Sequence, residues 1–246
     1  MGKGAVFQIR NWPTYKSADY DFRNTSGLHR VIALDLGLVN DRTVISLMYW
    51  DPNEQEAWLH TQICVKGTEE ANPVNWIQHL MRPEVFGSPI VLPPDAGTVG
   101  RYTMSALSLR QMFEQYELNV YPDPIRNPAD AEGRTTNHKS FGINMMRQML
   151  ELGTLHINEN CVDFLREAQN YYVDERGRFS DPDDCIDSTR YALLACLNGW
   201  SEEYDNRSPG QRFRSAVHNA RVARAQKDAQ DRPVWKRSWS ADGGLM

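Results

Sequence analysis

Hydrophobic positions along the chain fall into short runs whose period changes from two to about 3.6 and back. Arg30–Leu36 (RVIALDL), Thr43–Trp50 (TVISLMYW) and Ala57–Lys66 (AWLHTQICVK) are apolar or alternating, rich in β-branched and aromatic residues, and read as strands. The links Gly37–Arg42 and Asp51–Glu56 are short and turn-rich, which favours antiparallel hairpins. Val74, Ile77 and Leu80 then share one side of a helix over Pro73–Met81. A strand at Pro89–Leu92 ends in Pro93-Pro94-Asp95, a helix spans Met104–Tyr116, and a strand covers Leu118–Tyr121. After a polar, proline-bearing loop at 122–137, the spacing predicts a helix over Lys139–Leu152 that stops at Gly153, a good residue to follow a helix end. Thr154–Ile157 reads as a short strand, Val162–Tyr172 as a helix, Gly177–Ser180 as a turn or short strand, and Pro182–Leu197 as the last helix. Residues 1–29 are polar and irregular and read as a linker or edge segment, like the interior of a longer protein.

Three hairpin-linked strands, then alternating helices and strands, then a long helix predict a mixed α/β sheet flanked by helices over residues 30–200. With 246 residues, 41% of them hydrophobic and seven Trp, the chain is long enough to bury its own core. The longest apolar runs, such as Val31–Leu34 and Ile90–Leu92, are far too short to cross a bilayer, so no membrane partner is expected. The first residues lack the apolar stretch of a secretion signal. The four Cys residues have no paired short spacing, so neither a zinc motif nor a disulfide framework is read, and a reducing cytoplasm is the default. Charge is unevenly divided: residues 1–205 hold 18 Lys+Arg against 29 Asp+Glu, while residues 206–246 hold 9 against 3. An acidic body with a basic tail (201–246) suggests carboxylate chemistry in the body and an anion or a partner at the tail.

Three acidic positions stand out. Asp35 sits in Ala33-Leu34-Asp35-Leu36-Gly37, where a charge inside an apolar strand is costly unless something pairs with it, and Asp41 follows in the turn. Asp95 lies at the C-terminal edge of a strand, where open α/β sheets place ligands. The third is Asp181-Pro182-Asp183-Asp184-Cys185-Ile186-Asp187, with Asp181 as N-cap and Pro182 in the first helical position. Asp183, Asp184 and Asp187 are spaced to share a helix face. Each has a structural alternative: a turn-capping aspartate, a Pro-Asp turn, or acids that suit a helix N-terminus. Together they call for a cation, and carboxylate oxygens are the ligands that Mg²⁺ and Mn²⁺ prefer.

The order of these motifs resembles the nuclease domain of phage terminase large subunits, a ribonuclease H-like fold. Asp35, Gly37, Asp41 and Thr43 resemble its first motif; Asp95, Gly97 and Gly100 its second; Asp183, Asp184, Asp187, Ser188, Tyr191 and Ala192 its third. Lys139 through Gly153, then Leu155 and Ile157, resemble the family's Lys-led helix and short strand. The resemblance implies a two-metal-ion endonuclease that cuts concatemeric viral DNA during genome packaging. By it, Asp35, Asp95 and Asp183 or Asp184 hold two Mg²⁺ or Mn²⁺ ions, Asp187 and Asp41 are auxiliary, and Lys139 meets a phosphate of double-stranded DNA. It further implies a terminase ATPase domain and small subunit as partners, a portal protein docked through the tail, and the cytoplasm of an infected bacterial host. Ser188 stands where the family has Ala, and no G-x-x-x-x-G-K-[ST] ATPase motif is present. An actin-like or sugar-kinase-like ATPase, a Holliday-junction resolvase and a non-catalytic packaging module remain as alternatives.

Overall fold

The computed structural model describes residues 4–20, 22, 27–37, 42–66, 76, 79–80, 87–94, 96–98, 107–121, 125–127, 138–199 and 202–203. Three long strands dominate: β3 (His29–Asp35), β4 (Arg42–Asp51) and β5 (Glu56–Lys66). They pair as an antiparallel meander, with Asp35 opposite Val44 and Trp50 opposite Ala57. The β4–β5 turn is held by Asp51, whose Oδ1 accepts from the backbone N–H of Asn53 at 2.8 Å and of Glu54 at 3.2 Å. Leu47 faces Thr61 whereas Met48 faces Leu59, so His60 is an extra residue that bulges β5.

Shorter strands complete the sheet. β6 (Ile90–Val91) runs parallel to β3, with Ala33 opposite Val91. β7 (Leu155–Asn158) runs parallel to β5, and β2 (Thr14–Tyr15) runs parallel to β7. The order is β2-β7-β5-β4-β3-β6, with β9 (Glu202–Glu203) also pairing β3, antiparallel. β1 (Gly4–Ala5) and β8 (Tyr172–Val173) form a separate antiparallel pair. The expected mixed sheet is therefore present. The segment expected at Leu118–Tyr121 contributes one bridge, Val120 to Ile90. The first residues pack on the sheet: Val6, Phe7, Tyr15, Phe22 and Leu28 are all buried.

The described helices are α1 (Leu109–Gln115), α2 (Lys139–Leu152), α3 (Val162–Asn170) and α4 (Asp184–Leu197). α1 starts on a capping box between Ser108 and Gln111. α2 ends where expected, at Gly153, whose φ of 75° is a left-handed conformation that a residue without Cβ adopts freely. Trp76, His79 and Leu80 are helical, but the rest of the helix expected at Pro73–Met81 lies outside the described residues, as do Met104–Ala106, Asp41, Asp95, Gly100 and nearly all of the basic tail.

Each face of the sheet carries its own core. Val31, Ala33, Val44, Met48 and Leu59 pack with Ile143, Met146, Phe164 and the apolar residues of α4. Ile32, Leu34, Ile45, Leu47 and Tyr49 pack on the other face with Trp76, Leu80, Leu109 and Phe113. α4 is buried along almost its whole length. It is covered by the sheet on one side and by α2 and α3 on others, which explains why its sequence is apolar beyond a single stripe.

Candidate functional site

Strand alternation puts Val31, Ala33 and Asp35 of β3 on the face covered by α4. Polar bonds fix the helix over that face. Ser188 Oγ donates to the Ala33 carbonyl at 3.0 Å and contacts Ser46 Oγ at 2.9 Å. Gln62 Nε2 donates to Ser46 Oγ at 2.9 Å and to the Cys185 carbonyl at 3.1 Å. The first turn of α4 is thereby held beside the C-terminal end of β3. Burial pushes the Asp35 carboxyl well above the usual carboxylate range; the charges of Asp187, Asp184 and Asp183 add to that, and Lys139 opposes it. Asp35 thus ends β3 beside the start of α4, where Asp183, Asp184 and Asp187 lie.

α4 begins at Asp184, later than the sequence predicts. Asp183, not Asp181, holds the N-cap position, and its side chain makes no cap bond. The physical reason is a residue that sequence reasoning missed. Glu167 of α3, itself buried, accepts from the backbone N–H of Cys185 at 2.9 Å and of Ile186 at 3.3 Å. It does the work of a cap from outside the helix, at the end where the helix dipole favours a negative charge. Its other oxygen pairs with Arg42 of β4, whose Nε also donates to Asp184 Oδ2 at 3.0 Å. Burial raises the Glu167 pKa; Arg42 and the backbone donors pull it back.

With the cap supplied by Glu167, Asp183 is available for other contacts. It accepts from the Tyr171 hydroxyl at 2.9 Å and forms an ion pair with Lys139. The Lys139 ammonium also lies 2.9 Å from Asp187. The Lys139 ammonium is turned into the acid cluster, because α2 starts beside α4. Burial works against its charge, and Asp187 and Asp183 outweigh that and raise its pKa. Burial also raises the pKa of Asp183, while Lys139 lowers it. Asp187 accepts from Arg190 Nε at 3.1 Å on its other oxygen. His138 is exposed, holds the N-cap position of α2, and its carbonyl accepts from Asn127 Nδ2 at 3.1 Å.

The expected sharing of one helix face is therefore met by Asp183 and Asp187, which clasp Lys139, while Asp184 is turned to Arg42. As to metal, the donors are carboxylate oxygens, the kind that hard divalent ions take. Among the described residues, however, no three His, Cys, Asp or Glu side chains close on a common point able to hold an ion. The described acids match a divalent cation in donor type and do not by themselves enclose one. Asp95 and Asp41 lie outside the described residues.

Arg42, Glu167, Tyr171 and Arg190 were not legible as site residues. Glu167 alone carried a signal: it falls between Phe164 and Ala168 on the buried stripe of α3, where a charge needs a partner.

A mixed sheet built on an antiparallel meander, with acids at the end of β3 and in the first turn of the last described helix, defines a ribonuclease H-like α/β domain with an acidic centre. The fold is that of phage large-terminase nuclease domains. The P22 large terminase nuclease domain aligns with a TM-score of 0.62 at 20% identity, covering 82% of this chain and 95% of that one. The large terminase of a thermophilic bacteriophage, solved in complex with ADP, aligns at 0.58 and 15% identity, covering 80% of this chain, which spans 46% of that longer one. The nuclease domain of the bacteriophage SPP1 large terminase, solved with bound Mn, aligns at 0.51 and 12% identity, over 75% of this chain and 96% of that one. No protein-family model and no curated protein matches the sequence. Among the described residues no helix is long and apolar enough to cross a membrane.

Proposed function

We propose that this chain is a metal-dependent endonuclease domain that cuts concatemeric double-stranded viral DNA during genome packaging. The observation that carries the reading is the placement of Asp35, at the end of β3, beside the start of α4, where Asp183, Asp184 and Asp187 lie. The bound Mn of the SPP1 nuclease domain supports it. The parallel register of β3 and β6 supports including Asp95, since Ala33 lies opposite Val91 and both strands leave the sheet at the same end.

Asp35, Asp95 and Asp183 or Asp184 would hold two Mg²⁺ or Mn²⁺ ions, with Asp187 and Asp41 auxiliary. Such ions, when bound, lower the pKa of an attacking water and neutralise the leaving oxygen. The rest of the work falls to this chain's own groups. Arg42 orients Asp184, and the Tyr171 hydroxyl orients Asp183. Lys139 and Arg190 offset negative charge that would otherwise repel a phosphate, and a Lys139 released from its acids would reach one. A terminase ATPase domain and small subunit, and a portal protein bound through the basic tail, complete the proposed assembly in the cytoplasm of the infected host.

The test is cleavage of linear and branched duplex DNA by the full chain with Mn²⁺ or Mg²⁺. Linear duplex is expected to be cut, and Asp35→Ala and Asp95→Ala are expected to abolish cutting while each variant retains the wild-type circular dichroism and a cooperative melt. Wild-type cutting by either variant removes that residue from the site. Cutting confined to branched DNA favours a Holliday-junction resolvase, and no cutting with either metal favours a non-catalytic packaging module.

A further inference from the structure

Two cysteines 121 residues apart in sequence meet beside the acid cluster. Cys64 Sγ of β5 lies 3.1 Å from Cys185 Sγ, in the first turn of α4. That is about 1 Å longer than a disulfide bond of ~2.05 Å. Both backbones are already tied. Cys64 pairs with Val44 in the β4–β5 ladder. The Cys185 N–H is held by Glu167, and its carbonyl accepts from Thr189 Oγ1 at 2.8 Å and from Gln62 Nε2 at 3.1 Å. Gln62 stands two residues before Cys64 on the same strand, so β5 grips Cys185 at two neighbouring points. The other thiols are placed differently: Cys161 is buried and directs its Sγ to the Leu59 carbonyl at 3.8 Å, and Cys196 is buried further along α4.

We infer that Cys64 and Cys185 are a modification site, closed to an intramolecular disulfide by a peroxide. Cys64 is half-buried and reachable from solvent, whereas Cys185 is fully buried. Cys64 is therefore oxidised first. Its sulfur takes one oxygen from hydrogen peroxide to give a sulfenic acid, and one water leaves. The Cys185 sulfur then attacks the Cys64 sulfur. The S–S bond forms, the S–O bond breaks, and the hydroxyl departs as a second water with the Cys185 proton. Two thiols are oxidised, one peroxide is reduced to two waters, and β5 is bolted to the turn that carries Asp184. The inference stands independently of the proposed nuclease activity.

The test uses the full reduced chain, treated with hydrogen peroxide, then unfolded, alkylated without reductant and mapped by mass spectrometry. The expected result is one cross-linked peptide pair joining Cys64 to Cys185, with Cys161 and Cys196 alkylated. The melting midpoint is expected to rise by about 5–10 °C, because the link closes a long loop in the unfolded chain. Reduction with dithiothreitol reverses the rise, and Cys64→Ser, a change at a half-buried position, shows neither cross-link nor rise. Four alkylatable thiols after peroxide, a Cys64–Cys161 link, a link between two chains, or a Cys64 driven to sulfinic acid beside a free Cys185 would each overturn the inference.

Discussion

Gly142 of α2 and Arg190 of α4 pass so closely that a Cβ built on the glycine would stand 2.5 Å from Arg190 Cγ and 2.7 Å from Cδ. The guanidinium of Arg190 thereby reaches Asp187 while stacking 4.4 Å over the Tyr191 ring. Gly142→Ala is favoured by helix propensity by up to ~1 kcal/mol, but here it meets the stem of a buried arginine. The expected net effect is a loss of about 1–3 kcal/mol, the usual cost of overpacking. Urea denaturation checks it; a variant as stable as wild type would show that Arg190 moves aside at no cost.

Glu167 links Arg42 to the start of α4. Glu167→Ala leaves two backbone N–H groups uncapped and Arg42 without one of its carboxylates, so a loss of roughly 3 kcal/mol is expected. Glu167→Gln keeps an acceptor for the N–H groups and removes the charge, and is expected to fall between Ala and wild type. Equal stabilities of the two variants in chemical denaturation would leave the capping role without support.

How much of this was legible beforehand follows from how far apart the interacting residues lie. The long strands β3, β4 and β5 and the bounds of α2 are readable because their signals are local: period, β-branching, and a glycine at the helix end. Asp35 is readable because a charge in an apolar strand is costly. The two-residue strands β1, β2 and β8 carry no periodicity, since two positions cannot show one. Arg42 finds Glu167 and Asp184 at separations of 125 and 142 residues, which no local pattern encodes. The start of α4 is not encoded locally for the same reason: its cap comes from another helix. Ser188, a departure from the terminase pattern, proves to be a polar peg between α4 and β3.

Asp35 supplies a pH prediction. Unfolded, its carboxyl ionises in the ordinary range; folded, burial and the neighbouring acids raise it well above. Between those two values the folded chain keeps a proton that the unfolded chain has released. Acid therefore favours the folded state, and stability falls as pH climbs through the window. Asp35→Asn removes the ionisation at nearly constant size. In EDTA it is expected to be more stable than wild type at neutral pH and to lack that part of the decline. Melting curves from acidic to neutral pH measure this, and parallel curves for the two proteins would contradict it.

The basic tail belongs to the proposed assembly. Deleting residues 206–246 is expected to leave metal-dependent cutting intact and to weaken binding to duplex DNA or to a portal protein, with a shallower salt dependence for DNA. Fluorescence anisotropy with labelled duplex across a salt series reads the DNA arm, and unchanged binding to both ligands would make the tail a passive terminus.

The two-residue β2 has a consequence out of proportion to its length. The backbone N–H of Ile157 is bonded to the Pro13 carbonyl at 2.8 Å, and that of Glu159 to the Tyr15 carbonyl at 2.9 Å. Without this segment β7 would become an open rim, with a row of unmet backbone donors and acceptors ready to recruit a strand from another molecule. Residues 13–15 thus cover that rim, and because Val6, Phe7 and Tyr15 also belong to the core, trimming residues 4–20 is expected to cost both stability and solubility, seen as a lower melting midpoint and increased light scattering.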